Sequence, residues 1–423
     1  MTEPTGAQCV HGEQRPLVGD EVEHHSRRAV LEVGIGAAVL AEVEGVVRTN
    51  SGVRAESAAR AESAARAESA AREGIHEVPR YQKRAFFTID TASATIESMQ
   101  KITQNRYGGP EVLELVDVET PTPGYGEVLV RVGAAGVNPI DEVVRAGAYQ
   151  PRDRTGADVM PLGFHFFSEP PFTVGWDVAG TVEAVGTGIS AFAPGDEVFG
   201  LVGFPNAGDA YAEYVLVSQN EIAHRPDSLT VEQAGAIPLV ALTAWQALVG
   251  IADVQLGQRV LVHAAAGGVG HVAVQITKAR GAYVIGTASA AKHDFVKGLG
   301  ADEVVDYRTT DFETAIEPVD VVFELVGGDY AERSATALKP GGLLIGAIGS
   351  HLGMTPERAA ELGIRWAVQS VRPSAADLAE LVKLVDSGAL AVHVDQTVPL
   401  ADAAKAHELI ADGRTTGKIV LVP

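Results

Sequence analysis

The sequence predicts an α/β protein in which a β-barrel-like part precedes a buried parallel sheet. Three observations carry this. From Met99 to about Ser218, short apolar or alternating runs such as EVLELVDV, GEVLVRVGAAGV, VAGTVEAVG, DEVFGLVGF and AEYVLV are punctuated by Gly and Pro, as in PTPGYG. After about Pro226, near-continuous apolar strands alternate with helical segments, the pattern of a parallel sheet covered by helices. Between the first of these strands and its helix lies HAAAGGVGH, His263 to His271, a glycine-rich turn.

The second half divides in order. VEQAGAIPLVALTAWQALVG reads as a helical pair broken at Pro238. RVLVHAA is a strand, VGHVAVQITKARG a helix ending at Gly281, AYVIGTA a strand, AKHDFVKGLG a helix and DEVVDY a strand. VDVVFELVG and GGLLIGAIG are further strands. DLAELVKLVDSGAL is an amphipathic helix, VHVDQTVPL a strand, ADAAKAHELIADGR a helix and GKIVLVP the closing strand.

Composition narrows the class. The 423 residues are 46% hydrophobic and 21% charged, with a net charge of −22. An acidic surface without basic blocks argues against nucleic acid or an anionic membrane as partner, because both are bound through clustered Lys and Arg. Cys9 is the one cysteine, which excludes an intramolecular disulfide and any multi-cysteine metal site. The start lacks a basic-then-apolar leader, and Glu32, Glu42 and Glu44 interrupt the best candidate membrane span, Ala29 to Val47. A soluble, cytoplasmic protein is expected.

Residues 1–98 differ in texture. RAESAA repeats three times from Arg54 to Ala71, with Glu56–Arg60, Glu62–Arg66 and Glu68–Arg72 spaced for i,i+4 pairing. A six-residue period builds no steady apolar stripe on a 3.6-residue helix, so this segment is a solvated helix or disordered. It reads as an extension before a natural beginning at Met99, or as a partner-binding arm.

The glycine turn sits where a phosphate-binding turn belongs, with the helix N–H groups and dipole directed at a pyrophosphate. The residues concerned are Ala265, Gly267, Gly268, Val269 and Gly270. Ala265 replaces the first glycine of Gly-x-Gly-x-x-Gly; that position needs a tight turn, and alanine has the smallest replacement side chain. Gly267 lets backbone approach phosphate, and Gly270 lets helix and strand pack closely. At the end of the next strand an acidic residue would grip the ribose 2′-hydroxyl of NAD. Here Thr287, Ala288 and Ser289 stand there and Lys292 follows, a neutral end with a nearby cation that suits the 2′-phosphate of NADPH.

From Met99 onward the chain resembles the zinc-independent quinone oxidoreductases of the medium-chain dehydrogenase/reductase superfamily. The matching stretches are RYGGPEVLEL, GVNPIDEVVRAGAY, GWDVAGTVEAVG, GDEVFG, YAEYV, IPLVALTAWQAL, HAAAGGVGHVAVQ, GADEVVDY and GKIVLVP, in the family's order. The resemblance implies a GroES-like catalytic domain over 99–225, a Rossmann domain over 226–370, a return to the catalytic domain over 371–423, NADPH in the cleft between them, and a homodimer. It implies that Asn138, Tyr149 and Thr243 lie near the nicotinamide, and that Lys292 and Tyr307 lie near the adenosine 2′-phosphate. Zinc relatives carry a cysteine and a Gly-His-Glu where this chain reads Gly136-Val137-Asn138 and Gly175-Trp176-Asp177. His263, His271, His293 and His407 have no ligand spacing and are expected to be packed or surface histidines. The stretch before Gly175, with Phe164, Phe166 and Phe167, is longer than the family suggests and could line the substrate mouth or anchor a loop.

Without a metal to polarise a substrate oxygen, simple alcohol oxidation is disfavoured. A quinone or α,β-unsaturated carbonyl is already electrophilic and needs only to be held in alignment with a hydride donor. Asn138 and Tyr149 are the candidate catalytic residues, with Tyr149 or a water delivering the proton. Asp141 is assigned to the helix start instead. The expected activity is an NADPH:quinone or enone reductase; conjugated thioesters and alkenals are close variants. The alternative from another class is a non-catalytic NADPH-binding sensor or structural protein on the same fold.

Overall fold

The computed structural model describes residues 98–147, 170–347 and 354–423, all within one unit, Ala92–Pro423. The RAESAA repeat, Cys9, the Ala29–Val47 stretch, Tyr149 and Phe164, Phe166 and Phe167 lie outside the described residues.

The chain enters through β1 (Ser98–Thr103), paired antiparallel with β2 (Glu114–Glu119). Then come β3 (Glu127–Val137), β4 (Asp177–Val185), β5 (Glu197–Leu201), β6 (Tyr214–Ser218) and β7 (Ile222–His224), linked by antiparallel pairings. β2 to β6 are the Gly- and Pro-punctuated runs of the first half. Their inward Val, Leu and Phe side chains, with Trp176 and Tyr211, are buried.

After the helical pair Val231–Ala236 and Pro238–Trp245 the pattern becomes parallel. Thr230 opens the pair with a capping box: its Oγ1 accepts from Gln233 N at 3.3 Å while its N–H donates to Gln233 Oε1 at 3.0 Å. Pro238, with no N–H to give, starts the second helix as expected. β8 (Arg259–Val262), β9 (Tyr283–Ala288), β10 (Glu303–Asp306), β11 (Val319–Glu324), β12 (Leu338–Ala347) and β13 (Arg365–Gln369) then form a six-stranded sheet ordered β10-β9-β8-β11-β12-β13. Every pairing in it is parallel. This is the doubly wound order of a Rossmann fold. The direction of winding reverses between β8 and β11, which places the ligand crevice at the carboxyl ends of those two strands.

Finally β14 (Val394–Pro399) and β15 (Lys418–Val422) run back into the first sheet, in the order β14-β15-β3-β4-β5-β7 with β6 also on β3. Two glutamines tie the connecting segment to the Rossmann side by imitating backbone. Gln246 Nε2 donates to Arg372 O at 3.0 Å and its Oε1 accepts Arg372 N at 3.1 Å. Gln275 Nε2 donates to Ala391 O at 2.8 Å and its Oε1 accepts Ala391 N at 2.9 Å.

Candidate active site

A cleft of about 480 Å³ lies at the β8–β11 switch point. Its walls come from the ends of β3 and β15 (Asn138, Lys418), the helix Pro238–Trp245 (Leu239, Thr243), the glycine turn (Ala264, Gly267 to Gly270) and the residues after β11 (Leu325, Val326). The lining is mainly apolar with a few polar groups, as in a pocket for a small organic ligand or cofactor.

The turn folds differently from the expectation in one respect. Its left-handed residue is Ala264, at φ +45°, and this residue faces the cleft. Ala265 is buried, donates its N–H to Thr287 O at 2.9 Å, and packs its methyl against Gly286. The tight turn therefore falls one residue earlier than the motif position, and a methyl is accommodated at Ala265 because the neighbouring strand supplies a glycine. Gly267 N donates to Ala264 O at 2.8 Å, and the helix Gly268–Ala279 starts at the next residue. A Cβ at Gly270 would lie 2.1 Å from Ala264 O, so that position tolerates only glycine. The first N–H groups of a helix have no intrahelical acceptor, and here Gly268, Val269 and Gly270 bring them to the cleft wall.

Asn138 stands on the opposite wall. It follows β3 and caps the helix Pro139–Arg145, with its backbone N–H donating to Asp141 Oδ2 at 2.6 Å. Asp141 thus takes the helix-start role expected of it. Asn138 Nδ2 donates to Asp177 Oδ2 at 2.9 Å, and Lys418 Nζ donates to Asn138 Oδ1 and, at 2.9 Å, to Val137 O. Lys418 Nζ is also 3.6 Å from Asp177 Oδ2, and Leu239 N donates to Asp177 Oδ1 at 2.6 Å. All four polar side chains are buried. Burial raises Asp141 to about 7 and Asp177 to about 6, and pushes the Lys418 ammonium down, partly offset by the facing carboxylates.

Thr243 lines the same cleft; its Oγ1 donates to Leu239 O at 2.7 Å, which leaves its lone pairs to accept. Ser289 follows β9 and is half-buried. Lys292 Nζ donates to Arg414 O and Thr415 O, each at 2.9 Å, which ties it to a segment that reaches the cleft at Thr415. Tyr307, just past β10, is exposed, with the Arg308 guanidinium over its ring. The histidines are packed. His263 sits between Thr287 Oγ1 and Ser334 Oγ, at 3.1 and 3.0 Å. His271 Nε2 accepts His393 N at 3.2 Å, so its Nδ1 carries the proton and donates to Gly267 O at 2.9 Å. His293 Nε2 lies 3.3 Å from Ala288 O, and His407 is fully buried against the Tyr211 ring.

Comparison with known proteins agrees with this geometry. Residues 124–227 match the family described as alcohol dehydrogenase GroES-like domain, and residues 299–421 match zinc-binding dehydrogenase. A quinone oxidoreductase of Pseudomonas aeruginosa is 35% identical over 338 residues, covering 75% of this chain and 97% of the relative. The chain belongs to the quinone oxidoreductase family of the medium-chain dehydrogenase/reductases. A family structure from Coxiella burnetii aligns with a TM-score of 0.70 at 35% identity, over 77% of this chain and 99% of that one. The Escherichia coli quinone oxidoreductase, solved in complex with NADPH, aligns with a TM-score of 0.67 at 31% identity, over 77% of this chain and all of that one, 100%. As the family implies, this is an oxidoreductase fold for a nicotinamide cofactor.

Family membership makes the cleft residues beyond the expected set informative. Lys418 and Asp177 stand within the stretches GKIVLVP and GWDVAGTVEAVG, where their residue types alone mark no site. A lysine at the head of an apolar strand ordinarily reads as a solvated end, and an aspartate after a tryptophan carries no pattern of its own. Among the described residues, no group of three or more His, Cys, Asp or Glu is placed to hold a metal ion.

Proposed function

We propose that this protein transfers hydride from NADPH to a quinone or an α,β-unsaturated carbonyl without a metal ion. The observation that carries the cofactor choice is the end of β9. Thr287, Ala288 and Ser289 occupy it, Lys292 follows, and no carboxylate stands there to meet a ribose 2′-hydroxyl. The residues suit the cofactor on structural grounds: the Gly270 cradle would be filled by a single Cβ, and the helix start beside it offers donors to a pyrophosphate. Ala264, Gly267, Gly268, Val269 and Gly270 would hold the phosphates, with Ala265 acting from behind. Ser289, Lys292 and Tyr307 would meet the adenosine end, and Thr243 and Asn138 the nicotinamide end.

When bound, NADPH supplies the hydride equivalent. The chain's own contribution is to fix that donor against an acceptor that is already electrophilic, and to exclude bulk water from the apolar cleft. A buried amide at Asn138 can donate to oxygen as negative charge develops there. Lys418 touches both Asn138 and Asp177, so the cation at this wall is the chain's own and stands beside a buried carboxylate. The reading extends to a cytoplasmic homodimer that takes small-molecule substrates.

The test is NADPH and NADH consumption by the full chain against a panel of quinones, enones, alkenals and conjugated thioesters, with products identified. Turnover with NADPH at far higher kcat/KM than with NADH is expected. Equal efficiency with both cofactors would overturn the cofactor choice. Tight NADPH uptake with no consumption across the panel would favour a binding protein instead.

A further inference from the structure

The Asn138 side chain is held by opposite charges at its two ends. Its oxygen accepts from the Lys418 ammonium, and its nitrogen donates to the Asp177 carboxylate at 2.9 Å. An amide turned the other way would set nitrogen against ammonium and oxygen against carboxylate, two repulsive contacts in a buried setting. The backbone is held as well, by Asp141 Oδ2 on Asn138 N and by Lys418 Nζ on Val137 O. Lys418 comes from β15, Asp177 from β4 and Asn138 from the end of β3, so three strands of one sheet converge on one amide. Asn138 and Lys418 both line the cleft. A buried ion pair is a weak source of stability, because apolar residues of similar volume do as well. Its value at this place lies in orientation.

We propose that Lys418 is a positioning residue for hydride transfer: paired with Asp177, it locks the Asn138 carboxamide in one orientation at the cleft wall. This rests on the reductase reading above. Lys418 does not itself meet the substrate; it acts through Asn138, whose fixed N–H is aimed before the cofactor and acceptor arrive.

The test uses the full chain. Lys418→Met alone leaves Asp177 buried without its counter-charge, and its melting temperature should fall. Lys418→Met with Asp177→Asn removes both charges at nearly constant shape and should recover much of that loss. If the pair only stabilises the fold, kcat recovers with the melting temperature. If it positions Asn138, kcat stays about 10²-fold low while the NADPH Kd, read by cofactor fluorescence, stays within about threefold of the parent. Recovery of parental kcat in the double variant would overturn the proposal. A second comparison covers a double variant that does not fold. Asn138→Ala added to Lys418→Met, assayed below the melting point of both, should lower kcat no further, because both changes remove one arrangement. Losses that multiply would overturn it. A parent that consumes no NADPH with any acceptor refutes the reductase reading itself, an outcome distinct from both.

Discussion

Gly270 meets the carbonyl oxygen of Ala264 so closely that a Cβ on the glycine would lie 2.1 Å from that oxygen. The contact seats the start of the helix Gly268–Ala279 against the turn that leaves β8, and it defines the wall on which a pyrophosphate would rest. Gly270→Ala should therefore cost about 3 kcal/mol of stability and weaken NADPH binding. Ala264→Gly should stay within about 1 kcal/mol of the parent, since relief of the left-handed strain and the added freedom of the unfolded chain oppose each other. Urea unfolding midpoints check both, and a well-tolerated Gly270→Ala would show that the turn is looser than this contact implies.

Lys292 governs cofactor choice in the proposed reading. Its ammonium is held by Arg414 O and Thr415 O, so it has a fixed place from which to meet a phosphate. A hydrogen bond to a charged group is worth about 1.5–3 kcal/mol. Lys292→Ala should thus lower kcat/KM for NADPH by roughly 10- to 100-fold and leave the value for NADH near the parent's. A parallel loss with both cofactors would move Lys292 from phosphate recognition to loop anchoring.

His407 should be an acid-sensitive point. It is fully buried, neither ring nitrogen has a hydrogen-bond partner, and burial, aided by the Arg145 guanidinium, lowers it to about 3. The folded state therefore resists a proton that the unfolded chain takes up below about pH 6.5. Stability carried by this group is present above that pH and is lost as pH falls toward 3. His263 and His271, lowered by burial to about 3 and about 4, act in the same direction. Asp141 and Asp177 oppose them: raised by burial, they hold protons in the fold and give up stability as pH rises from about 4 towards about 7 and about 6. The difference between parent and His407→Leu isolates the one imidazole. The variant should be the more stable at pH 5, and its stability should lose one proton's worth of pH dependence, about 1.4 kcal/mol per unit between pH 4 and 6. Identical slopes in a pH series of denaturant midpoints would contradict the shift.

What could be read from the sequence was what depends on near neighbours. The glycine turn, the strand before it and the helix after it are continuous in sequence, and a turn's backbone demands show directly in its residues. The place of Thr287, Ser289 and Lys292 at the end of β9 was legible for the same reason, being set by near neighbours along the chain. The placement of strain was less so, because whether Ala264 or Ala265 turns left-handed depends on Gly286 in the next strand. β13 carries little strand signal: RWAVQ is short, begins with arginine, and sits half-buried at the sheet edge. The hold on Asn138 was least legible of all, since Lys418 lies 280 positions from Asn138 and Asp177 lies 39 from it. Periodicity cannot report a contact made by folding three distant strands onto one point.

The paired amides of Gln246 and Gln275 give the connecting segment fasteners made of side chain instead of ladder. A strand pairing is fixed by backbone that every residue shares, but a glutamine is one codon, and a single base change turns it to glutamate, leucine or lysine. The tie between the parallel-sheet lobe and the segment that leaves it can therefore be loosened one fastener at a time, and Gln246, which also accepts from the cleft residue Gln369 at 3.3 Å, carries such a change to the cleft wall.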